Sequence, residues 1–441
     1  MGRRSHSRAL NIWLNGELLG QWTLLGNGTH ELLYADSWYR SASVRPLSLS
    51  LPMTGQPLRG RVVENYFDNL LPDSTEIRRR VQTNFKTAST SAFDLLAAIG
   101  RDCVGAVHLL PMNMAPLGWN TTEAQALSQA EIEQWLSHAV TAGHPMGSDD
   151  DENFRISLAG AQEKTALTWH QGRWCKPHGA TPTTHIFKLP MGLVGHRQAD
   201  MTSSVENEWL CAQLAKAMGL SVASCEMGQW GAQKALVVER FDRRMASSGA
   251  HWLRLPQEDF CQALGLPSHL KYEADGGPGI RSLAGLLRTS SHATDDLRTL
   301  FESQLFFWLL AATDGHAKNY SLSLLSDGAY RLTPLYDILS AWPIVGTEAQ
   351  QVPDDKLRMA MALRGKQAHY HVKTIQPRHF LETAKREGYT DMEGSMQRMA
   401  MRVPAALEET ARKLPDDFPR ELFDKVAGGV LKMSRRLHSG D

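Results

Sequence analysis

The densest chemistry in this sequence lies in the run Asp314-Gly315-His316-Ala317-Lys318-Asn319. A carboxylate followed five residues later by a carboxamide suits phosphoryl transfer. The Asp accepts or orients the proton of an attacking hydroxyl, and the Asn offers an oxygen to Mg²⁺ beside the phosphates. Asp337, beyond a hairpin, is a second oxygen ligand for the metal. The Asp-x-x-x-x-Asn spacing is that of a kinase catalytic loop. Ala312-Thr313 stands where His-Arg usually precedes the Asp, and Tyr336-Asp337-Ile338 is not D-F-G. The spacing alone recurs by chance; helix, loop, hairpin and Asp in that order is far more specific. His316 and Lys318, inside the loop, are assigned to the nucleotide. No second His lies at ligand spacing, which argues against His316 as a metal ligand. The alternative readings are Asp314 as a turn residue and Asp337 as a helix N-cap.

Such residues need elements to hold them. The apolar run 305–310 predicts a buried helix that anchors the loop at its end. Strands at 320–324 and 330–332, around the turn Ser326-Asp327-Gly328, return the chain so that Asp337 lies beside Asn319. Upstream, Ser157-Leu158-Ala159-Gly160-Ala161-Gln162-Glu163-Lys164-Thr165 sits between predicted strands at 156–158 and 165–169. Small residues there let backbone N–H groups approach phosphate, so Ala159, Gly160, Ala161, Gln162, Glu163 and Lys164 form a candidate phosphate cover. It is not a Walker A loop, because Glu163 stands where that motif needs Gly. A plain β-turn is the rival reading. Lys188, on a strand spanning 184–189, suits the α/β-phosphates and pairing with a helix glutamate. The helix predicted over 205–218 supplies Glu206 and Glu208; Glu208 is favoured as the partner. The strand over 235–240 ends in Glu239-Arg240-Phe241, where backbone groups of Glu239 and Phe241 could meet an adenine edge.

The remaining sequence sets the frame. At about 150 residues per domain, 441 residues allow two or three domains. With 47 basic and 47 acidic side chains the formal charge is zero, so the chain is not a generic basic nucleic-acid binder. Five scattered cysteines without a C-x-x-C pair exclude a disulfide framework and a zinc ribbon. Arg3-Arg4 is not followed by an apolar stretch, and no run approaches the roughly 18 apolar residues of a membrane span. The chain reads as soluble, reduced and cytoplasmic, with no membrane partner. Residues 9–34 read as strands punctuated by Asn15-Gly16 and Asn27-Gly28, followed by helices near 62–67, 76–85 and 93–99, the last with Gly100 as C-cap. A strand follows at 105–110, and a helix near 131–139. These patterns place an N-terminal subdomain of β-rich start and short helices at 1–150. A part with phosphate loop, lysine strand and helix spans 151–245, and a helical part with the catalytic loop spans 246–441.

Taken together the residues resemble the HipA family of serine/threonine kinase toxins from toxin–antitoxin modules. The resemblance covers nearly the whole chain. It is carried by Arg45-Pro46-Leu47-Ser48-Leu49-Ser50-Leu51-Pro52, Phe67-Asp68-Asn69-Leu70-Leu71-Pro72-Asp73 and Ile99-Gly100-Arg101-Asp102. It continues through the 154–165 segment, Glu239-Arg240-Phe241-Asp242-Arg243-Arg244, Arg254-Leu255-Pro256-Gln257-Glu258-Asp259 and the Asp314 loop. It implies an α+β, two-lobed protein-kinase-like fold with an extra N-terminal α/β subdomain and an all-helical C-lobe. It implies ATP and Mg²⁺, with Asp314 as catalytic base, Asn319 and Asp337 on the metal, and Lys188 on phosphate. Ser157 matches the family's inhibitory autophosphorylation serine. The implied protein substrate is glutamyl-tRNA synthetase, whose loss would cause growth arrest and persistence. The implied partners are a HipB-like helix-turn-helix antitoxin and, through it, operator DNA. Arg3, Arg4 and Arg8 read as a disordered tail. Residues 111–152 and 343–355 depart most from the family pattern, which makes substrate identity its softest implication.

Two other classes compete. A small-molecule or lipid-type kinase uses a comparable Asp-x-His-x-x-Asn loop. A catalytically silent corepressor subunit would have lost one of Lys188, Asp314, Asn319 and Asp337, and all four are present.

Overall fold

A computed structural model of the chain describes residues 7–140, 157–160, 162–195 and 198–438. Two compact units are assembled from discontinuous stretches. One comprises Met1–Leu189, Gly228–His269 and Ser321–Tyr330; the other comprises Pro190–Met227, Leu270–Tyr320 and Arg331–Asp441.

The first unit opens with an antiparallel five-stranded sheet in the order Leu58–Arg59, His30–Tyr34, Glu17–Leu24, Arg8–Leu14, His108–Pro111. The alternation along Arg8–Leu14 turns Leu10, Ile12 and Leu14 inward. They meet the helices Arg61–Asp68 and Ala92–Ile99 in a core centred on Trp22, whose ring stacks on Phe67 with centroids 3.8 Å apart. Arg8 is not part of a tail: it starts the first strand and pairs with Asp94 at 2.6 Å, its guanidinium over the Phe93 ring. Arg3 and Arg4 lie outside the described residues. Gly100 ends its helix at φ −77°, so it is not a left-handed cap. Its small size matters instead, because a Cβ would sit 2.6 Å from the Leu96 carbonyl.

A six-stranded sheet follows in the order Cys225–Trp230, Gln233–Glu239, His185–Lys188, Lys164–His170, Arg173–Pro177, Ala124–Ala126. Leu167, Phe187, Ala235 and Val237 bury one face against Ile132 and Leu136 of the helix Gln129–Val140. That helix therefore packs on the second sheet although its sequence adjoins the first. The expected boundary at 150 lies outside the described residues, as does Ala161. The expected strand at 156–158 is absent at its described residues: Ser157 and Leu158 have no ladder partners and run as a loop.

In the same unit Asp102 and Asp242 meet Arg240, Arg243 and Arg254, all buried. Asp102 is 3.3 Å from Arg240, 3.0 Å from Arg243 and 3.3 Å from Arg254, and it accepts the Thr183 hydroxyl at 2.6 Å. Burial alone would raise its pKa, but the three guanidiniums hold the carboxyl far below the usual range. This cluster ties the start of the 240–254 segment to the end of the N-terminal subdomain.

The second unit is built on the helix Ala293–Leu310, whose last six residues are buried all round. Around it pack Ile280–Leu287, Pro377–Glu387, Met392–Ala411 and Arg420–His438. The helix Ser204–Ala217 packs on Met392–Ala411 and is followed by Gly219. The expectation of a helical part beyond 246, interrupted only by the hairpin at 320–335, needs correction. Arg358–Arg364 pairs with Ala368–His371, and the sequence Arg-Met-Ala-Met-Ala-Leu-Arg forms a strand. Met, Ala and Leu are good helix formers, so local propensity pointed the wrong way and burial against Pro377–Glu387 decided.

Candidate active site

The catalytic loop belongs to the second unit. The helix Ala293–Leu310 ends at Ala311, in the left-handed region at φ 48°, which turns the chain out of the apolar core. Gly315 then passes over Phe307 so closely that a Cβ would lie 2.5 Å from its ring. The loop is self-braced. The His316 N–H donates to the Asp314 carbonyl at 2.8 Å, and the Asn319 side-chain NH₂ donates to the same carbonyl at 2.7 Å. Asp314 points its carboxylate outward, with the side chain 54% exposed, as a base that must meet a substrate requires. His316 is buried, with Nε2 3.7 Å from Asp314 Oδ1. Lys318 is buried too, and its carbonyl accepts the Tyr336 hydroxyl at 2.8 Å.

That last bond closes the hairpin. It joins the residue before Asn319 to the residue before Asp337. Asp337 caps no helix; it has φ 60° in an irregular segment. A non-glycine residue held there carries strain, which occurs most often at functional sites. The Asn319 amide, fixed by its NH₂ bond, has its oxygen directed away from the Asp314 carbonyl. Asn319 and Asp337 thus offer hard oxygen ligands only, which fits Mg²⁺. Among the described residues no group of three or more His, Cys, Asp or Glu could hold a metal.

The phosphate-binding candidates belong to the first unit. Gly160 has φ +105°, a conformation that side chains rarely tolerate, and the Lys164 ammonium folds over it. Gln162 and Glu163 use their side chains structurally: Gln162 donates to the Leu189 carbonyl at 2.6 Å, and Glu163 pairs with Arg80. The sheet register sets Lys164 directly opposite Lys188. Lys188 is buried at its strand position. Glu239 faces solvent at the end of its strand, and the Arg240 N–H donates to the Thr184 carbonyl at 2.9 Å. Phe241 is half-buried just beyond. Ser157 is fully buried, donating its hydroxyl to the Leu70 carbonyl at 2.8 Å. In the second unit, Glu206 and Glu208 are both buried near the start of the helix Ser204–Ala217.

Two residues escaped the sequence reading. Tyr272 donates its hydroxyl to Asp314 Oδ1 in a short hydrogen bond, and its ring meets His316 edge-on at 4.9 Å. Arg80 grips the phosphate loop from the N-terminal subdomain. Nothing in the sequence marks either, because the contacts span 42 and 83 residues.

Among the described residues no helix is long and apolar enough to cross a membrane. Comparison with known proteins places the chain. Residues 156–414 match the HipA-like C-terminal domain, and residues 10–110 match the HipA N-terminal domain. A Sinorhizobium fredii protein named "Putative kinase Y4mE" is 35% identical over 76% of this chain and 77% of its own. The serine/threonine-protein kinase toxin HipA of Shewanella oneidensis is 27% identical over 88% of this chain and 85% of its own. In fold, the chain is similar to one from the Shewanella oneidensis MR-1 toxin–antitoxin complex of HipA, HipB and operator DNA. The TM-score is 0.78 at 24% identity, over 97% of both chains. The α+β kinase-like architecture expected from the sequence is thus the one observed, and the chain belongs to the HipA family.

Proposed function

We propose that this chain is an ATP- and Mg²⁺-dependent serine/threonine protein kinase, the toxin of a type II toxin–antitoxin module. The observation that carries the reading is the Asp314–Asn319 loop, where the Asn319 amide braces the Asp314 main-chain carbonyl, the Asp314 carboxylate stays exposed, and the Tyr336 bond closes the Asp337 hairpin. Asp314 receives or orients the proton of a substrate hydroxyl. Asn319 and Asp337 hold Mg²⁺, which when bound neutralises phosphate charge. Lys164 and Lys188 draw the phosphates to the sheet, with the Ala159–Gly160 backbone above them. Glu239 and Phe241 offer backbone groups to the base.

The finer inheritance follows from family membership. The protein substrate is glutamyl-tRNA synthetase or a related translation factor, and its modification causes growth arrest and persistence. Ser157 is the self-inactivating phosphoacceptor. Its phosphate would bring about −1.5 to −2 charge into a loop that serves phosphate. A HipB-like antitoxin restrains the kinase and carries it to operator DNA. The formal charge of zero means that the antitoxin supplies most contacts to DNA phosphates.

The test is incubation with labelled ATP and Mg²⁺, alone and with cell lysate, for wild type and Asp314→Asn. Label on protein, and at Ser157, is expected for wild type and not for the variant. Label confined to small molecules or lipids would move the chain to another kinase class. Undiminished transfer by the variant would remove Asp314 as the base.

A further inference from the structure

The phosphate loop is held at three points by residues 70–80, which the kinase chemistry itself does not use. At its start, Ser157 has no exposed surface; its hydroxyl donates to the Leu70 carbonyl at 2.8 Å. At its middle, Gly160 forms a parallel bridge with Pro72, and its carbonyl accepts the Asp73 N–H at 3.0 Å. At its end, Arg80 forms an ion pair with Glu163. A fourth contact, from the Ser157 N–H to the Asp102 carbonyl at 3.0 Å, comes from the same N-terminal subdomain.

The holding segment is itself braced. Arg78 donates to the Pro72 carbonyl at 2.6 Å and grips the Asp68 carboxylate with both terminal nitrogens, at 2.6 and 3.2 Å. Both arginines lie on the helix Thr75–Phe85, started by Ser74, whose hydroxyl accepts the Ile77 N–H. That helix has no fully buried residue. Filling a core is therefore not what its arginine face is for. Glu163 supplies the electrostatic reason. Its carboxylate lies one residue from Lys164, where a nucleotide's phosphates would be drawn, and Arg80 neutralises it.

We propose that Arg80, Arg78 and the Leu70–Asp73 segment position the phosphate loop, setting both its affinity for nucleotide and the access of Ser157 as a phosphoacceptor. The nucleotide and Ser157 roles rest on the kinase reading above; the holding of the loop does not. With the contacts made, Ser157 is sealed and the Gly160 turn is preset. With them broken, the loop frees Ser157 and Glu163 repels phosphate.

Hydrogen–deuterium exchange of the full chain tests the holding without reference to activity. Arg80→Ala and Glu163→Gln remove the same ion pair from opposite sides. Each is expected to speed exchange at 160–164 about tenfold, because loop amides exchange through local opening. Peptides from the helix Ala92–Ile99 should stay protected, which excludes general unfolding, and Arg80→Lys should stay close to wild type. With ATP and Mg²⁺, Ser157 phosphorylation should accelerate by a similar factor in both variants, while KM for ATP rises more than kcat changes in Arg80→Ala, where the Glu163 charge remains, and rises less in Glu163→Gln. Unaltered exchange at 157–164 in both Arg80→Ala and Glu163→Gln overturns the proposal. Faster exchange with no phosphate on Ser157 in any variant or wild type supports the positioning role and counts against the kinase reading instead.

Discussion

Replacing Asp102 by Asn should be among the most damaging single substitutions in the first unit. The cluster sets three buried guanidiniums, Arg240, Arg243 and Arg254, against the carboxylates of Asp102 and Asp242. Asn keeps the volume and can still accept from the Thr183 N–H and hydroxyl. What it loses is a charge facing three cations. The cost of leaving buried charge uncompensated is about 3–5 kcal/mol. For a unit of this size that lowers Tm by about 10 °C. Urea and thermal unfolding of the full chain, followed by circular dichroism, measure it. Adding Arg254→Met to Asp102→Asn restores the original charge balance, so the double variant should be more stable than the sum of the two single losses predicts. The pH dependence has a definite sign. Asp102 is depressed in the folded state, so its stabilisation is complete well above the unfolded value of 3.8, declines as pH falls through that value, and is lost once pH reaches the lower folded value. A loss below about 1 kcal/mol, or a strictly additive double variant, would refute the view of the cluster as a compensated charge set.

Glu258 offers the opposite case: burial pushes its carboxyl up to about 8, against hydrogen bonds from Ser48 and Leu49, and one carboxylate oxygen has no partner. A raised folded pKa penalises the native state increasingly from pH 4.5 up to about 8. Glu258→Gln should therefore stabilise by about 2–4 kcal/mol more at pH 8 than at pH 5, and a pH-independent difference in urea midpoints would remove the explanation. The cross-strand lysines yield a binding prediction. Lys164→Met and Lys188→Met should each weaken ATP about tenfold or more in calorimetric titration. Unchanged affinity in Lys164→Met would remove Lys164 from the phosphate site.

Much of the frame was legible from local pattern. Asn15-Gly16 between alternating strands specified the first hairpin, and the apolar run 305–310 announced a buried helix. The strand over 358–364 was not legible, since its residues favour helix and only burial made it a strand. The same limit explains Arg8, whose place depends on Asp94, 86 residues away.

For the candidate site, residue types and spacing nominated Asp314, Asn319, Asp337 and the Ser157–Lys164 segment, because a loop between a helix and a hairpin is a local event. Hydrogen bonds and charge pairs over long separations carry no such signature. Only the folded chain set Lys164 against Lys188, brought the Tyr272 hydroxyl to Asp314, and sealed Ser157 under Leu70 while Arg80 took up Glu163. The physical reason is that spacing fixes which groups share a loop, whereas the charge and access of each group depend on what the tertiary structure packs against it.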